Sequence, residues 1–258
     1  MTTDIALNPP IAETEHYAIF DQNGTRTLQW KNDPASYLTT IDIARPEKLS
    51  QQSYSPHMLM PLVLIDNPRD VILIGLGGGQ QVRFIREHFP QLHLTALEID
   101  PVLVDLARQH FGLPPDDACL RVVVGDGAAF VAGCDGQCDL LLSDASGDGN
   151  VIVDALHTEA FYRDCHRILR RGGIMTVNVY HPGPTWGVGL IGMLRGIFDQ
   201  VYFTTISDGE QYVITLCKDP LGPDWDAIAA RAGILQPEID LPLIDFVNRF
   251  PRSGRQPD

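Results

Sequence analysis

The sequence lacks a membrane segment, and it lacks the basic patches with which proteins bind nucleic acid. No window approaches the roughly 20 consecutive apolar residues that a transmembrane helix needs. Lysine and arginine total 19 against 33 aspartate and glutamate residues, which gives a formal net charge of −14. Because phosphate contacts need clustered basic side chains, we expect neither a nucleic-acid nor a membrane partner. The acidity would suit a cationic substrate such as a polyamine, but solubility alone is the favoured explanation of this feature.

The cysteines are too few and too scattered for a disulfide framework or a zinc site. There are five, and only Cys134 and Cys138 lie close together, without a second Cys/His pair. Residues 1–17 contain neither the basic nor the apolar segment of a secretory signal. We therefore expect a cytoplasmic protein with reduced thiols and no metal.

The N-terminal part of the sequence predicts a loose arm followed by a small antiparallel β-unit, together residues 1–52. Two short strand-like runs, residues 17–20 and 25–30, flank the Asn-Gly pair at 23–24. Asn-Gly supplies the positive φ angles of a tight hairpin turn. Residues 36–43 have the β-branched side chains and partial alternation of a further strand.

Residues 53–258 show strands that alternate with helices, and 44% apolar residues over 258 positions suffice for one large core. The predicted strands are residues 71–74, 92–97, 120–124, 139–142, 174–179, 201–206 and 211–217. The predicted helices are residues 54–65, 80–89, 101–111, 157–169 and 225–232, the fourth ended by glycines at 172–173. Such βα units ending in a hairpin predict an α/β fold with a doubly wound, Rossmann-like, seven-stranded sheet.

In such sheets, ligands bind beyond the carboxyl ends of the strands, so the strand ends are where a site is expected. The first strand runs into the loop Gly75-Leu76-Gly77-Gly78-Gly79. Its glycines let the backbone turn tightly and approach a ligand in front of a helix N-terminus. Taken alone, this loop could also be a simple strand-to-helix turn.

Acidic residues follow the next two strands. Glu98, with Ile99 beside it, lies about 20 residues after the glycines, where a carboxylate can accept both hydroxyls of a ribose. These two motifs are also compatible with a dinucleotide site, and Asp100 is best read as a helix cap. Asp126 can accept from an adenine amino group, with Gly127 allowing close approach, or it can cap a helix. The residues alone leave both roles open.

Asp144 ends the fourth strand, so three successive strands end in an acid after the glycine loop. That combination indicates a site for an adenosyl sulfonium compound. On these residues the sequence resembles the spermidine synthase (polyamine aminopropyltransferase) family, within the class I S-adenosylmethionine-dependent methyltransferase-like superfamily. The N-terminal β-unit also matches the family layout. The resemblance covers residues 16–218, and its most specific pieces are residues 68–79, 97–101, 125–127 and Asp144 with 157–165.

The resemblance implies a transferase that moves an aminopropyl group from decarboxylated S-adenosylmethionine to a polyamine. Asp144 would be the catalytic general base, which takes a proton from the attacking amine. Tyr54 and Asp148 would line the amine pocket, no metal would be needed, and we expect a homodimer. The implied cofactor-binding residues are Gly75, Gly77, Gly79, Glu98, Ile99, Asp126 and Gly127.

The sequence departs from the family in the amine half of the site. Gly78 replaces the loop aspartate that, in the family, contacts the aminopropyl amine and would repel the carboxylate of ordinary S-adenosylmethionine. The family's second acid after Asp144 is Gly147 here, and Asp148 comes one residue late. Aminopropyl transfer is therefore favoured, while methyl transfer from S-adenosylmethionine and non-catalytic nucleoside binding stay open.

Overall fold

The computed structural model describes residues 9–33, 37–50, 53–147, 153–180, 183–206, 211–221 and 224–250. Its first element is a four-stranded antiparallel sheet of β1 (Ala12–Glu13), β2 (Tyr17–Gln22), β3 (Thr25–Trp30) and β4 (Tyr37–Asp42), in that order. The predicted hairpin is confirmed, because Asn23 and Gly24 both have positive φ angles, 52° and 79°. The segment that was predicted to be a loose arm contains the short strand β1, which pairs with β2.

The remaining strands form one seven-stranded sheet in the order β10-β11-β9-β8-β5-β6-β7. Neighbours from β9 to β7 are parallel, and β11 and β10 close the sheet in antiparallel pairing. The predicted α/β fold class with its small antiparallel sheet is thus confirmed. The strands are β5 (Asp70–Ile74), β6 (His93–Glu98), β7 (Leu120–Val124), β8 (Cys138–Ser143), β9 (Leu169–Tyr180), β10 (Gln200–Ile206) and β11 (Gln211–Cys217).

The sheet is covered on both faces, as the all-apolar run of residues 71–74 in β5 predicts. Val71 and Leu73 pack into the core on one face, and Ile72 and Ile74 pack into the core on the other. No helix within the described ranges is both long and apolar enough to span a membrane. The helices are α1 (Ser55–Leu59), α2 (Gln80–His88), α3 (Pro101–His110), α4 (Gly127–Ala132), α5 (Glu159–Ile168), α6 (Gly183–Arg195), α7 (Trp225–Ile239) and α8 (Leu243–Arg249).

Two helix predictions need correction. Residues 54–65 are not one α-helix, because α1 passes into a 3₁₀ segment, Met60–Leu64. Pro61 has no N–H to donate to the carbonyl one turn earlier, so the α-helical pattern stops there. Helix α5 ends at Ile168, and the glycines predicted to cap it lie inside β9. Helices α4, α6 and α8 were not predicted.

The N-terminal β-unit is fixed against α3. Its buried side chains form one apolar cluster with Leu103 and Leu106 of that helix. The Tyr17 hydroxyl donates to Oδ2 of Asp100 at 2.7 Å, and the other carboxylate oxygen of Asp100 caps α3, as predicted. This docking brings β4 over the carboxyl ends of the parallel strands. The β-unit contributes Tyr17, Ile19, Leu28 and Ile41 to the cluster.

Candidate active site

A cavity of about 440 Å³ lies at the carboxyl ends of the parallel strands, under the β-unit. It is the place where the doubly wound fold predicts a ligand. Gly79 does not line it, and Asp148 lies outside the described residues. The predicted site residues that line the cavity are Tyr54, Gly75, Gly77, Glu98, Ile99, Asp126, Gly127 and Asp144.

The glycine loop is shaped by a close approach to the chain that follows β8. Gly75 has a φ of 92°, and a Cβ placed on it would lie 2.6 Å from the carbonyl oxygen of Asp144. Only glycine therefore permits this crossing, which fixes where Asp144 leaves its strand. Gly79 has a φ of 76°, precedes α2 and packs against Leu113, so its conformation is explained without a ligand.

Glu98 ties the end of β6 to the glycine loop. Its side chain is 7% exposed, and Oε2 accepts from the backbone N–H groups of Leu76 at 3.0 Å and Gly77 at 3.2 Å. Oε1 accepts from the N–H of Asp100 at 3.1 Å. A carboxylate has about four lone-pair sites, so Oε1 retains capacity for one further donor such as a hydroxyl.

The wall beyond Glu98 combines an apolar surface with a carboxylate. Ile99 is 68% exposed, a high value for an isoleucine, and it faces the cavity. Asp126 caps α4, because Oδ1 accepts from the N–H groups of Ala128 at 2.7 Å and Ala129 at 3.0 Å. Among the described residues no donor reaches Oδ2, so the capping role and a ligand role are compatible. These two side chains could hold a flat, hydrogen-bonding ring.

Gly127 is explained by packing. A Cβ at this position would lie 2.4 Å from Cγ2 of Ile74, so only glycine lets α4 start directly against β5. The close approach that the sequence suggested for a ligand is thus also an approach between two elements of the fold.

Asp144 lies at the opposite end of the cavity from Ile99 and Asp126 and accepts three hydrogen bonds from neutral donors. Nδ2 of Asn178 reaches Oδ1 at 2.9 Å, while Nε2 of Gln81 at 2.5 Å and the Tyr54 hydroxyl at 3.2 Å reach Oδ2. Burial raises the pKa of Asp144 to about 7, although these hydrogen bonds act to lower it. The group can therefore exchange a proton near neutral pH.

Tyr54 remains a donor in this arrangement. Burial and the neighbouring charge of Asp144 raise the pKa of its hydroxyl well above the ordinary value, so the proton stays on the tyrosine. Tyr54 immediately precedes α1 and lines the cavity.

Three polar residues of the group around Asp144 were missed by sequence reasoning. Gln81 is 4% exposed on the buried side of α2, and Asn178 interrupts an apolar run in β9. A polar residue within a buried and mostly apolar segment was the available signal, because a buried amide needs a partner. Gln211 on β11 donates to Oδ1 of Asn178 at 2.8 Å and completes the group.

The seven-stranded sheet and the acids at its strand ends define the class I methyltransferase-like fold. Two solved structures agree in fold. A spermidine synthase in complex with the transition state analogue AdoDATO has a TM-score of 0.70 and 19% identity, covering 94% of this chain and 88% of that one. Human methyltransferase-like protein 13 in complex with SAH has a TM-score of 0.62 and 21% identity, covering 81% and 96%.

Sequence comparison identifies the family within that class. Residues 53–183 match the family model of the spermine/spermidine synthase domain. A polyamine aminopropyltransferase of Chromobacterium violaceum is 30% identical over 252 residues, which cover 97% of this chain and 95% of the relative. The chain belongs to the spermine/spermidine synthase family. The relative is by name a transferase, so the predicted family and enzyme class are confirmed.

Proposed function

We propose that this chain transfers an aminopropyl group from decarboxylated S-adenosylmethionine to a polyamine, with Asp144 as the general base. The observation that carries the proposal is the environment of Asp144. A carboxylate with a pKa of about 7 and three neutral donors sits in the same cavity as Glu98, Ile99 and Asp126. A base whose pKa lies near the working pH is efficient in proton transfer.

We assign the nucleoside to one end of the cavity and the transferred carbon to the other end. Glu98 would accept from the ribose, Ile99 would cover one face of the adenine, and Oδ2 of Asp126 would accept from the adenine amino group. Asp144 and Tyr54 would then face the carbon that is transferred. Gly75, Gly77 and Gly127 would line the nucleoside through their backbones, while Gly79 would act only through the loop conformation.

The chemical step needs no metal in this scheme, because the sulfonium is already activated. The lone pair of the amine nitrogen forms a bond to the carbon next to sulfur. The carbon–sulfur bond breaks, its electron pair stays on sulfur, and methylthioadenosine leaves as a neutral thioether. Before this attack, Asp144 takes one proton from the ammonium form of the amine, directly or through the Tyr54 hydroxyl, which frees the lone pair; the product nitrogen keeps its two remaining protons as a secondary ammonium. Alignment of amine and carbon in one cavity supplies part of the rate.

The experiment is an analysis of products with each nucleoside in turn. With decarboxylated S-adenosylmethionine and putrescine, we expect equal amounts of methylthioadenosine and spermidine by mass spectrometry. S-adenosylhomocysteine formed from S-adenosylmethionine would instead indicate methyl transfer. Methyl transfer is the second candidate because Gly78 bears no side chain that could repel a methionine carboxylate. Binding of both nucleosides without any product would indicate a non-catalytic protein.

Several further features belong to the same proposal. The division of the chain into a β-unit over residues 1–52 and a Rossmann-like domain over residues 53–258 is retained. Asp148 is retained as a second amine-pocket residue. A homodimer and a cytoplasmic location are retained as predictions.

A further inference from the structure

Thr39 of β4 contacts the glycine loop from the side of the β-unit. Its side chain is 8% exposed, and Oγ1 accepts from the N–H of Gly78 at 2.7 Å while donating to the carbonyl of Leu38 at 2.7 Å. Both hydrogen-bonding functions of the hydroxyl are therefore satisfied within the protein. Thr39 also lines the cavity, next to Gly77.

Thr39 occupies the space into which a side chain at position 78 would project. A Cβ on Gly78 would lie 2.7 Å from Cγ2 of Thr39 and 2.9 Å from its Cβ, distances that real atoms do not adopt. A larger residue at position 78 would therefore require β4 to move. In this chain the side chain over the loop is supplied by the β-unit.

Strand β4 is not free to move, because several hydrogen bonds join this part of the β-unit to the loop and α2. The side chain of Gln80 donates to the carbonyl of Thr40 at 3.2 Å. The guanidinium of Arg83, which is 6% exposed, donates to the carbonyls of Gly78 and Pro46. The position of Thr39 is thus defined from both sides of the contact.

The location of Thr39 within the cavity gives this contact a functional meaning, which rests on the proposed function. A nucleoside whose ribose is at Glu98 and whose reacting carbon is near Asp144 must pass over the glycine loop. The group attached to sulfur then lies beside residue 39. We propose that Thr39 determines donor selectivity, and that its uncharged side chain lets the cavity accept both decarboxylated and ordinary S-adenosylmethionine.

The test is to place a charge at position 39 and compare it with a neutral side chain of the same shape. Thr39→Asp and Thr39→Asn are titrated with each nucleoside by calorimetry. Both replacements carry their acceptor oxygen one bond further from the backbone than Oγ1, so any change in the loop contact is common to the two variants. The proposal requires that wild type and Thr39→Asn bind the two nucleosides within about tenfold of each other. Thr39→Asp should change that ratio by at least about tenfold against S-adenosylmethionine, whose carboxylate it repels.

A second pair of variants covers the case in which Thr39→Asp does not fold. Gly78→Asp alone should lower the melting temperature, because the new side chain collides with Thr39. In a Thr39→Gly background both colliding carbons are absent, so the same Gly78→Asp change should cost less and should disfavour S-adenosylmethionine. Equal destabilisation in the two backgrounds would overturn the placement of Thr39.

Different results would overturn the selectivity role of Thr39 and the proposed function. Equal nucleoside ratios in Thr39→Asp and Thr39→Asn would overturn the selectivity role while leaving aminopropyl transfer intact. A wild type that already rejects S-adenosylmethionine a thousandfold would also overturn it. A wild type that binds neither nucleoside would overturn the proposed function itself.

Discussion

Nδ2 of Asn178 donates to Oδ1 of Asp144 at 2.9 Å, and the orientation of that amide is set by a third residue. Because Gln211 donates to Oδ1 of Asn178 at 2.8 Å, the carbonyl side of the amide is occupied and the NH₂ side must face Asp144. The carboxylate is thereby held by a donor that cannot turn away. Asp144 consequently keeps its charged form accessible at neutral pH in spite of its burial.

We expect the pH dependence of the reaction to report this environment. Since burial raises the pKa of Asp144 to about 7 and the base must be deprotonated, kcat/KM should rise with pH and level off above about 7. Asn178→Ala removes a hydrogen bond to the charged form, so the rise should move to higher pH by up to about one unit. Initial rates from about pH 5.5 to about pH 9 would measure it. An unchanged pH profile in Asn178→Ala would contradict the assignment of the rise in kcat/KM to Asp144.

The same pKa predicts a pH-dependent stability difference between wild type and Asp144→Asn. The pKa of Asp144 is raised in the folded protein from about 3.9 in the unfolded chain. Its favourable contribution is therefore complete below about pH 4 and is lost as the pH rises through about 7. Asp144→Asn should gain at least about 1 kcal/mol relative to wild type between about pH 5 and about pH 8.5. Urea unfolding at both pH values tests this, and a constant difference would contradict it.

Asp126 offers a way to separate a helix cap from a ligand contact. Asn is as good an N-cap as Asp, so Asp126→Asn should retain the wild-type melting temperature, whereas Asp126→Ala should lose about 1 kcal/mol. Both variants should weaken nucleoside binding about tenfold or more, because each loses the anionic acceptor. Glu98→Gln should weaken binding likewise. Wild-type affinity in all three variants, measured by calorimetry, would place the nucleoside elsewhere.

Gly75→Ala should disturb both the fold and the position of Asp144. Its Cβ would meet the backbone at 2.6 Å, in addition to the strain of a positive φ. Gly24 provides the matched control, because it also has a positive φ but no atom lies within 4 Å of the point that its Cβ would occupy. We expect Gly24→Ala to cost about 1–2 kcal/mol of unfolding free energy and Gly75→Ala clearly more. Urea titrations that show equal losses of unfolding free energy in the two variants would contradict the close approach of Gly75 to the chain after β8.

Local patterns were sufficient for much of the fold. The Asn-Gly pair at 23–24 specifies its hairpin, and the apolar run of β5 specifies a strand covered on both faces. Acids at the ends of successive strands were found for the same reason, since parallel strand ends meet at one edge. Glu98, Asp126 and Asp144 therefore line one cavity, as expected from the sequence.

The parts of the fold and of the site that the sequence did not predict depend on contacts between distant segments. Thr39 reaches Gly78 only because the β-unit docks on α3, and no local pattern specifies that docking. Two of the three partners of Asp144 lie on α2 and β9, and Gln211 contributes from a strand that closes the sheet in antiparallel pairing. Gly127 was assigned to the close approach of a ligand, and its close approach to Ile74 of β5, a residue 53 positions earlier, has no local signal in the sequence.

The most direct test of the general-base proposal is the turnover of Asp144→Asn with decarboxylated S-adenosylmethionine and putrescine. Asparagine keeps the shape and loses the proton acceptor, so turnover should fall by about 10²–10⁴ while nucleoside affinity stays within about threefold. Asp245→Asn, an exposed change on α8, controls for the loss of one negative charge. Methylthioadenosine release and nucleoside calorimetry on the same preparations give both quantities. An Asp144→Asn protein with wild-type turnover would contradict the account.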